Sequence, residues 1–60
     1  MKEGTLVLYD IAEGSKPEGI WLPAVVVFVH HDGRLDVAYR YGGVLDVIGV
    51  VSPAHIKRRA

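Results

Sequence analysis

The chain has 60 residues, of which half are hydrophobic, and its seven basic and seven acidic side chains give a formal net charge of zero. This length allows one small domain, and the charge balance argues against a nucleic-acid or membrane-surface binder, because neutralising phosphates requires an excess of Lys and Arg. The lack of cysteine excludes disulfides and thiolate metal sites and is typical of an intracellular protein, and no apolar run reaches the roughly 18 residues of a membrane-spanning helix.

The N-terminal half of the sequence predicts two strands separated by a loop. Apolar residues over Thr5–Tyr9 predict a first strand. Residues Asp10–Gly19 contain two glycines, one proline and three carboxylates, and they predict a loop. β-Branched and aromatic residues then predict a long second strand over Ile20–His30, in which Pro23 lies near the start, where a missing N–H group is tolerated.

The C-terminal half predicts three more strands joined by tight turns. The Asp32-Gly33 pair between two apolar runs predicts a hairpin turn, followed by a third strand over Arg34–Arg40 with alternating apolar and polar residues. Tyr41–Gly43 predicts another turn before a fourth strand, Val44–Val51, in which Gly49 marks a bend or bulge.

The last segment predicts how a sheet of these strands closes. Residues Ser52–His55 suit a single helical turn, with Ser52 as the cap and Pro53 in the first helical position, before a short fifth strand over Ile56–Arg59. Five short strands are too few for an ordinary sandwich, so the sequence predicts a small all-β barrel, whose closure removes most exposed strand edges. The core predicted from strand alternation consists of Leu6, Leu8, Ala24, Val26, Phe28, Val37 and Ile56.

Four segments, in this order, resemble the Tudor-like (Tudor/Agenet-type) group of SH3-like barrels: Trp21–Val26, Asp32–Gly33, Asp36–Tyr39 and Gly42–Gly43. In that family a strand reading aromatic–x–Pro–Ala–x–Val precedes an Asp-Gly-type turn and a strand that ends in x-Val-x-Tyr. The resemblance covers nearly the whole chain. It implies that residues 1–60 form a single five-stranded Tudor-like barrel with one helical turn before the last strand, acting inside the cell, with the nucleus as one compartment that this allows.

The resemblance also implies an aromatic cage for a methylated Lys or Arg side chain, held by cation–π attraction against ring faces with a carboxylate nearby. Two residues match the family's cage aromatics: Tyr9 at the end of the first strand and Tyr39 at the end of the third. Leu22 departs from the pattern, because the family places an aromatic directly before the Pro-Ala pair. Tyr41 shares a face with Tyr39 and can supply another wall, so the predicted cage is incomplete.

Two further residues are candidates for ligand binding. Trp21 is either an anchor for a partner or a plug where the long loop folds against the barrel, and strand alternation places it on the face opposite Leu22. Asp10, together with Glu13 and Glu18, forms either an acidic rim that attracts a cationic ligand or part of a solvated loop.

The remaining polar residues predict no catalytic, metal or cofactor site. His30 and His31 are adjacent on a strand and point to opposite faces, which makes a shared metal ion difficult. No segment resembles a nucleophile elbow, a phosphate-binding loop or a paired acid–base site, so we expect a protein that is not an enzyme and needs no cofactor. Asp36 and Asp46 are expected to face outward beside the arginines of the third strand.

Two classes of function stay open. The first is a non-catalytic binding module that docks a peptide or protein partner, as a methylated Lys/Arg reader or as a general docking surface. The second is a structural or oligomerisation module. Val25, Val27 and Val29 give the second strand another apolar face, and the fourth strand has more apolar residues than one small core can hold. This excess favours a protein partner or a homo-oligomer.

Overall fold

The computed structural model describes residues 1–59, which form one five-stranded antiparallel sheet. The strands are β1 (Leu6–Asp10), β2 (Trp21–Val29), β3 (Leu35–Tyr41), β4 (Val44–Val51) and β5 (Ile56–Arg58). A single 3₁₀ turn, Pro53–His55, precedes β5, and the Ser52 hydroxyl caps it by accepting from the Ala54 N–H group. The predicted all-β class, the five strands and the single helical turn are confirmed. No helix among the described residues is long and apolar enough to cross a membrane.

The sheet has the strand order β4-β3-β2-β1-β5, so β4 and β5 are its two edges. It is strongly curled, since the molecule has nearly equal extents of 28 × 25 × 22 Å, whereas a single flat sheet is much thinner than it is wide. Val51 at the end of β4 and Ile56 of β5 therefore reach the same hydrophobic core from opposite edges of the sheet. The result is a small barrel in which β5 pairs with β1 as predicted. β4 and β5 do not pair with each other in the described residues, so the predicted closure does not remove these two edges.

The core draws on every strand and has different members from those that alternation predicts. The buried hydrophobic residues are Val7, Tyr9, Ala24, Val26, Leu35, Val37, Val51 and Ile56. The predicted β1 face is wrong: Val7 and Tyr9 point inward, Leu6 is exposed and Leu8 is only partly buried. The four residues of Leu6–Tyr9 are all apolar, so their composition does not distinguish the two faces of this strand.

A bulge in β2 explains the second error in the predicted core. Val26 pairs with Val37, but Phe28 pairs with Asp36, so the register shifts by one residue. Phe28 consequently remains 48% exposed and packs edge-on against the His30 ring, with 4.9 Å between ring centroids. The same shift turns Val29 toward the core, so the outer apolar face of β2 includes Val25 and Val27 but not Val29.

The β2–β3 hairpin has a three-residue loop. The His30 N–H group donates to the Arg34 carbonyl (2.8 Å), and the Gly33 N–H group donates to the His30 carbonyl (2.9 Å). Gly33 has a φ of +92°, as the Asp-Gly pair predicts, whereas Asp32 keeps a negative φ. This combination fits a turn followed by a left-handed glycine, and it differs from a two-residue turn with positive φ at both central positions.

A second bulge, predicted from Gly49, interrupts β4. Val37 pairs with Ile48 and Leu35 pairs with Val51, so β4 has two residues between these pairs where β3 has one. Val50 adopts a φ of +59°, which is strained for a β-branched residue. Asp36 holds this bulge, because its Oδ1 accepts from the Val50 N–H group (2.8 Å) and lies 2.7 Å from His30 Nε2.

Asp36 and Asp46 were predicted to lie beside the arginines of β3, but neither carboxylate forms an ion pair with an arginine among the described residues. Hydrogen bonds from His30 and then from the Val50 N–H group lower the pKa of Asp36. Arg34 instead pairs with Asp32 of the hairpin loop at 2.8 Å.

Candidate functional site

The two tyrosines that match the family's cage positions are in contact, but one of them is buried. The ring centroids of Tyr9 and Tyr39 lie 5.4 Å apart, with a tilt of 48° between the ring planes. Tyr9 is 2% exposed, and its hydroxyl donates to Glu13 Oε2 at 2.6 Å. Burial raises the pKa of Tyr9, and the Glu13 carboxylate raises it further. Tyr9 therefore packs against Tyr39 as a neutral side chain and presents no open ring face to a ligand.

The accessible part of this surface lies on β3 and β4, and we call Tyr39, Tyr41 and Asp46 the tyrosine face. Tyr39 is half-buried, Tyr41 is 61% exposed, and both lie on one side of β3 by strand alternation. Asp46 is directly opposite Tyr39 in the β3–β4 register. Two phenol rings beside one exposed carboxylate can attract an organic cation.

Asp46 is a site residue that sequence analysis missed, because it was placed on the outward side. The signal was present in the Gly42-Gly43 turn. Two residues with positive φ, +59° and +81°, form a two-residue turn, which pairs Tyr41 with Val44. Two residues further from the turn along each strand, Asp46 lies opposite Tyr39.

Asp10 has a different environment from the acidic rim that its sequence position suggests. It is buried, and its carboxylate accepts backbone N–H groups of Ile20 (2.8 Å), Ala12 (3.0 Å) and Gly14 (3.2 Å). These bonds, that from Ile20 foremost, lower the pKa of Asp10. The carboxylate thus joins the two ends of the long β1–β2 loop and faces backbone donors.

Trp21 lies away from the tyrosine face. It pairs with Asp10 at the start of β2, and its indole N–H group donates to the Glu18 carbonyl at 3.1 Å. The Lys57 ammonium sits 4.2 Å from the ring centroid, within cation–π distance. These contacts join the loop, β2 and β5, and they match the interpretation of Trp21 as a plug better than that of an open anchor.

The most exposed apolar surface is strand β4 itself. Val44, Leu45 and Val47 are 57 to 64% exposed, although they lie in a regular strand. β4 pairs with β3 on one side, and no described strand pairs with its other side. Edge strands are usually protected by proline, lysine or several charges, and between Val44 and the bulge β4 carries only Asp46. We call residues 44–48 the β4 edge.

The rest of the described surface offers little alternative chemistry. An apolar cavity of about 200 Å³, too small for most ligands, is lined by Met1, Val29, Gly33, Leu35 and Pro53. Within residues 1–59, no group of three or more His, Cys, Asp or Glu side chains is placed to hold a metal ion. Comparison of the chain with protein-family models, curated proteins and solved structures found no match. The functional argument therefore rests on the geometry of this chain.

Proposed function

We propose that this chain is a non-catalytic binding module that docks a peptide or protein segment along the β4 edge. One observation carries the proposal: an apolar strand at the edge of the sheet is exposed on both faces and unpaired on one side. Unpaired N–H and C=O groups along such a strand are a template for another strand. Addition of an extended peptide to an exposed sheet edge is a recurrent recognition mode, in which backbone hydrogen bonds give affinity and alternate side chains give specificity.

The exposed apolar surface is sufficient for a modest interaction. Val44, Leu45 and Val47 together expose roughly 300 Å² of surface, divided between the two faces of β4, which is within the range of the largest apolar patch on an ordinary monomer. An interface confined to this edge is smaller than the roughly 800 Å² per partner of a stable complex. We therefore expect weak, reversible binding.

Selection from a random peptide library tests this proposal, since it does not require the partner to be identified beforehand. Wild-type protein serves as bait, and Val47→Lys serves in the counter-selection, since a lysine on an exposed edge blocks strand addition without entering the core. We expect enriched peptides to shift the amide resonances of residues 44–48. Enrichment that is equal for both proteins, or shifts confined to other strands, would contradict docking at the β4 edge.

A second candidate function is recognition of a methylated Lys or Arg by the tyrosine face. The register that places Asp46 opposite Tyr39 supports it, as does the resemblance to Tudor-like domains. Buried Tyr9 and Leu22 leave two accessible rings, and each exposed ring face contributes roughly 0.5–1 kcal/mol. Binding should then be on the order of millimolar to high micromolar.

Titration of dimethyl- and trimethyl-lysine peptides, with the ring signals of Tyr39 and Tyr41 as the readout, tests this second function. We expect both rings to shift for methylated peptides, and Asp46→Asn to weaken the response because it removes the carboxylate. Unchanged ring signals at millimolar peptide would exclude the reader function and leave docking at the β4 edge untouched.

A further inference from the structure

The two edges of the sheet carry opposite charge. Between Val44 and Val51, the only ionisable side chain of β4 is Asp46, whereas β5 carries Lys57 and Arg58 and no carboxylate. Each edge pairs with a strand on one side only, β4 with β3 and β5 with β1. The sheet thus ends in an acidic edge and a basic edge.

These charges have no carboxylate or cation partner within the described part of the molecule. The ion pairs found among residues 1–59 are His30–Asp36 and Arg34–Asp32. Lys57 contacts the Trp21 ring, a neutral partner, and forms no ion pair with the carboxylates of residues 1–59. Arg59, the next cation along the chain, donates to the backbone carbonyls of Val7 and Ala24 within its own barrel, so Lys57 and Arg58 are the cations left on the edge.

Charge discriminates among the three ways in which two copies can join through their edges. Pairing β4 with β4 brings two Asp46 carboxylates to the same seam, and pairing β5 with β5 brings four cations together. Like charges directly opposite each other across strands are destabilising. Pairing β4 with β5 sets the Asp46 carboxylate against one of the two cations, since the adjacent Lys57 and Arg58 point to opposite faces of β5. The zero net charge of the chain adds no general repulsion between copies.

We propose that the occupant of the β4 edge is a second copy of this chain, joined through its β5 edge in a head-to-tail contact. This inference rests on the proposed docking role of β4 and names its partner. The contact is heterologous, so a joined pair still presents one free β4 edge and one free β5 edge, and assembly proceeds to a ring or an open chain. Because Asp46, Lys57 and Arg58 are all exposed, the attraction weakens as salt rises.

Exchanging the charges between the edges tests the inference by sedimentation equilibrium. One variant is Asp46→Arg, and the other is the double variant Lys57→Asp with Arg58→Asp. Glu18→Arg, in the exposed loop, makes the same charge change as the first variant, and Lys2→Asp with Lys16→Asp makes the same change as the second. Fluorescence of Trp21 and circular dichroism establish that each variant is folded.

We expect the mass of the wild type to rise with concentration above the 6.6 kDa monomer and to fall with added salt. Each edge variant alone should associate about tenfold more weakly, since an attraction becomes a repulsion, whereas the control variants should behave as wild type. An equimolar mixture of the two edge variants should associate again, because each then offers an edge of opposite charge to the other.

Three results would overturn the head-to-tail contact: a wild type that is monomeric at all concentrations, an Asp46→Arg variant that associates as well as wild type, or a mixture that stays monomeric. If an edge variant fails to fold, the salt dependence of the wild type and its response to the remaining variant still decide the question. Failure here is distinct from failure of the docking function, because a library peptide that binds the β4 edge would retain that function with a different partner.

Discussion

The bulge in β2 predicts an unusual order of mutational effects: truncating a small valine should cost more than truncating a phenylalanine. Val37 is fully buried in β3, whereas Phe28, on the bulged side of β2, remains 48% exposed. The perturbations are Val37→Ala and Phe28→Ala, each of which removes side-chain atoms without adding polar groups. Val29→Ala, just beyond the bulge, is a control with an intermediate expectation, because Val29 packs against the core while partly exposed.

The expected magnitudes come from the buried fractions. Complete burial of an apolar side chain stabilises by about 1.5–3 kcal/mol, so a half-exposed Phe28 should contribute about 1 kcal/mol. Val37→Ala removes two fully buried methyl groups and leaves a cavity, so we expect a loss of about 2–3 kcal/mol. A domain of this length has a free energy of unfolding of about 3–9 kcal/mol, so Phe28→Ala should stay folded, and Val37→Ala should stay folded when the parent exceeds about 4 kcal/mol.

Urea unfolding, followed by the fluorescence of the single tryptophan, measures both effects. The expected result is a midpoint that falls further for Val37→Ala than for Phe28→Ala, at an unchanged slope. A loss of about 3 kcal/mol or more for Phe28→Ala, the range of a fully buried aromatic, with a smaller loss for Val37→Ala, would refute the register shift and place Phe28 in the core.

Three further predictions concern the backbone and the loop. Val50→Gly should stabilise the folded protein by about 1 kcal/mol, because glycine adopts the φ of +59° without strain and Val50 is half-exposed. An unchanged melting temperature would show that this backbone conformation costs no stability. Gly33→Val should destabilise by more than about 1 kcal/mol, because its φ of +92° is unfavourable for a β-branched residue although the surrounding space is open, and unfolding at the wild-type urea concentration would contradict this. Asp10 has a lower pKa in the folded than in the unfolded state, so its contribution is complete above the unfolded pKa and is lost as the pH falls through the folded pKa. Asp10→Asn should therefore lower stability at neutral pH and flatten the acid limb of the stability profile, and an unchanged acid limb would argue against the loop contacts.

Local sequence signals were enough to predict the elements of this fold. Glycine, proline and Asp-Gly pairs mark the chain reversals, and every predicted strand boundary lies within one residue of the observed boundary. The capping pattern at Ser52 and Pro53 predicts the 3₁₀ turn for the same reason, since both residues act through neighbouring backbone groups.

The orientation of the strands was harder to predict, because it depends on contacts between distant residues. In β2, the run Val25–Val29 is uniformly apolar, and nothing in it marks the extra residue that turns Phe28 outward and Val29 inward. In β1, Tyr9 rather than Leu8 is buried, and its hydroxyl donates to Glu13 in the following loop, a contact that no pattern within the strand predicts. A one-residue shift exchanges the two faces of a strand over the residues that it affects, which are those of β1 and those of β2 beyond the bulge.

The candidate site was likewise predictable only in the part that local sequence signals determine. The Gly42-Gly43 turn sets the β3–β4 register, and this register places Asp46 opposite Tyr39. The burial of Tyr9 and the three backbone bonds of Asp10 arise from the folded path of the β1–β2 loop, which carries no repeating pattern.

Amide hydrogen exchange along β4 tests the central claim, that this exposed edge is the docking surface, most directly. In dilute, unliganded protein, the outward-facing amides of residues 44–48 should exchange rapidly, because no described strand covers that side, and the Val47 N–H group should be the slowest of them, since it donates to Asp46 Oδ1 at 2.9 Å. With a saturating library-selected peptide, or in concentrated protein where copies associate, these amides should slow while those of the central strand β2 stay unchanged. Protection confined to other strands, or no protection in β4 under either condition, would contradict the account.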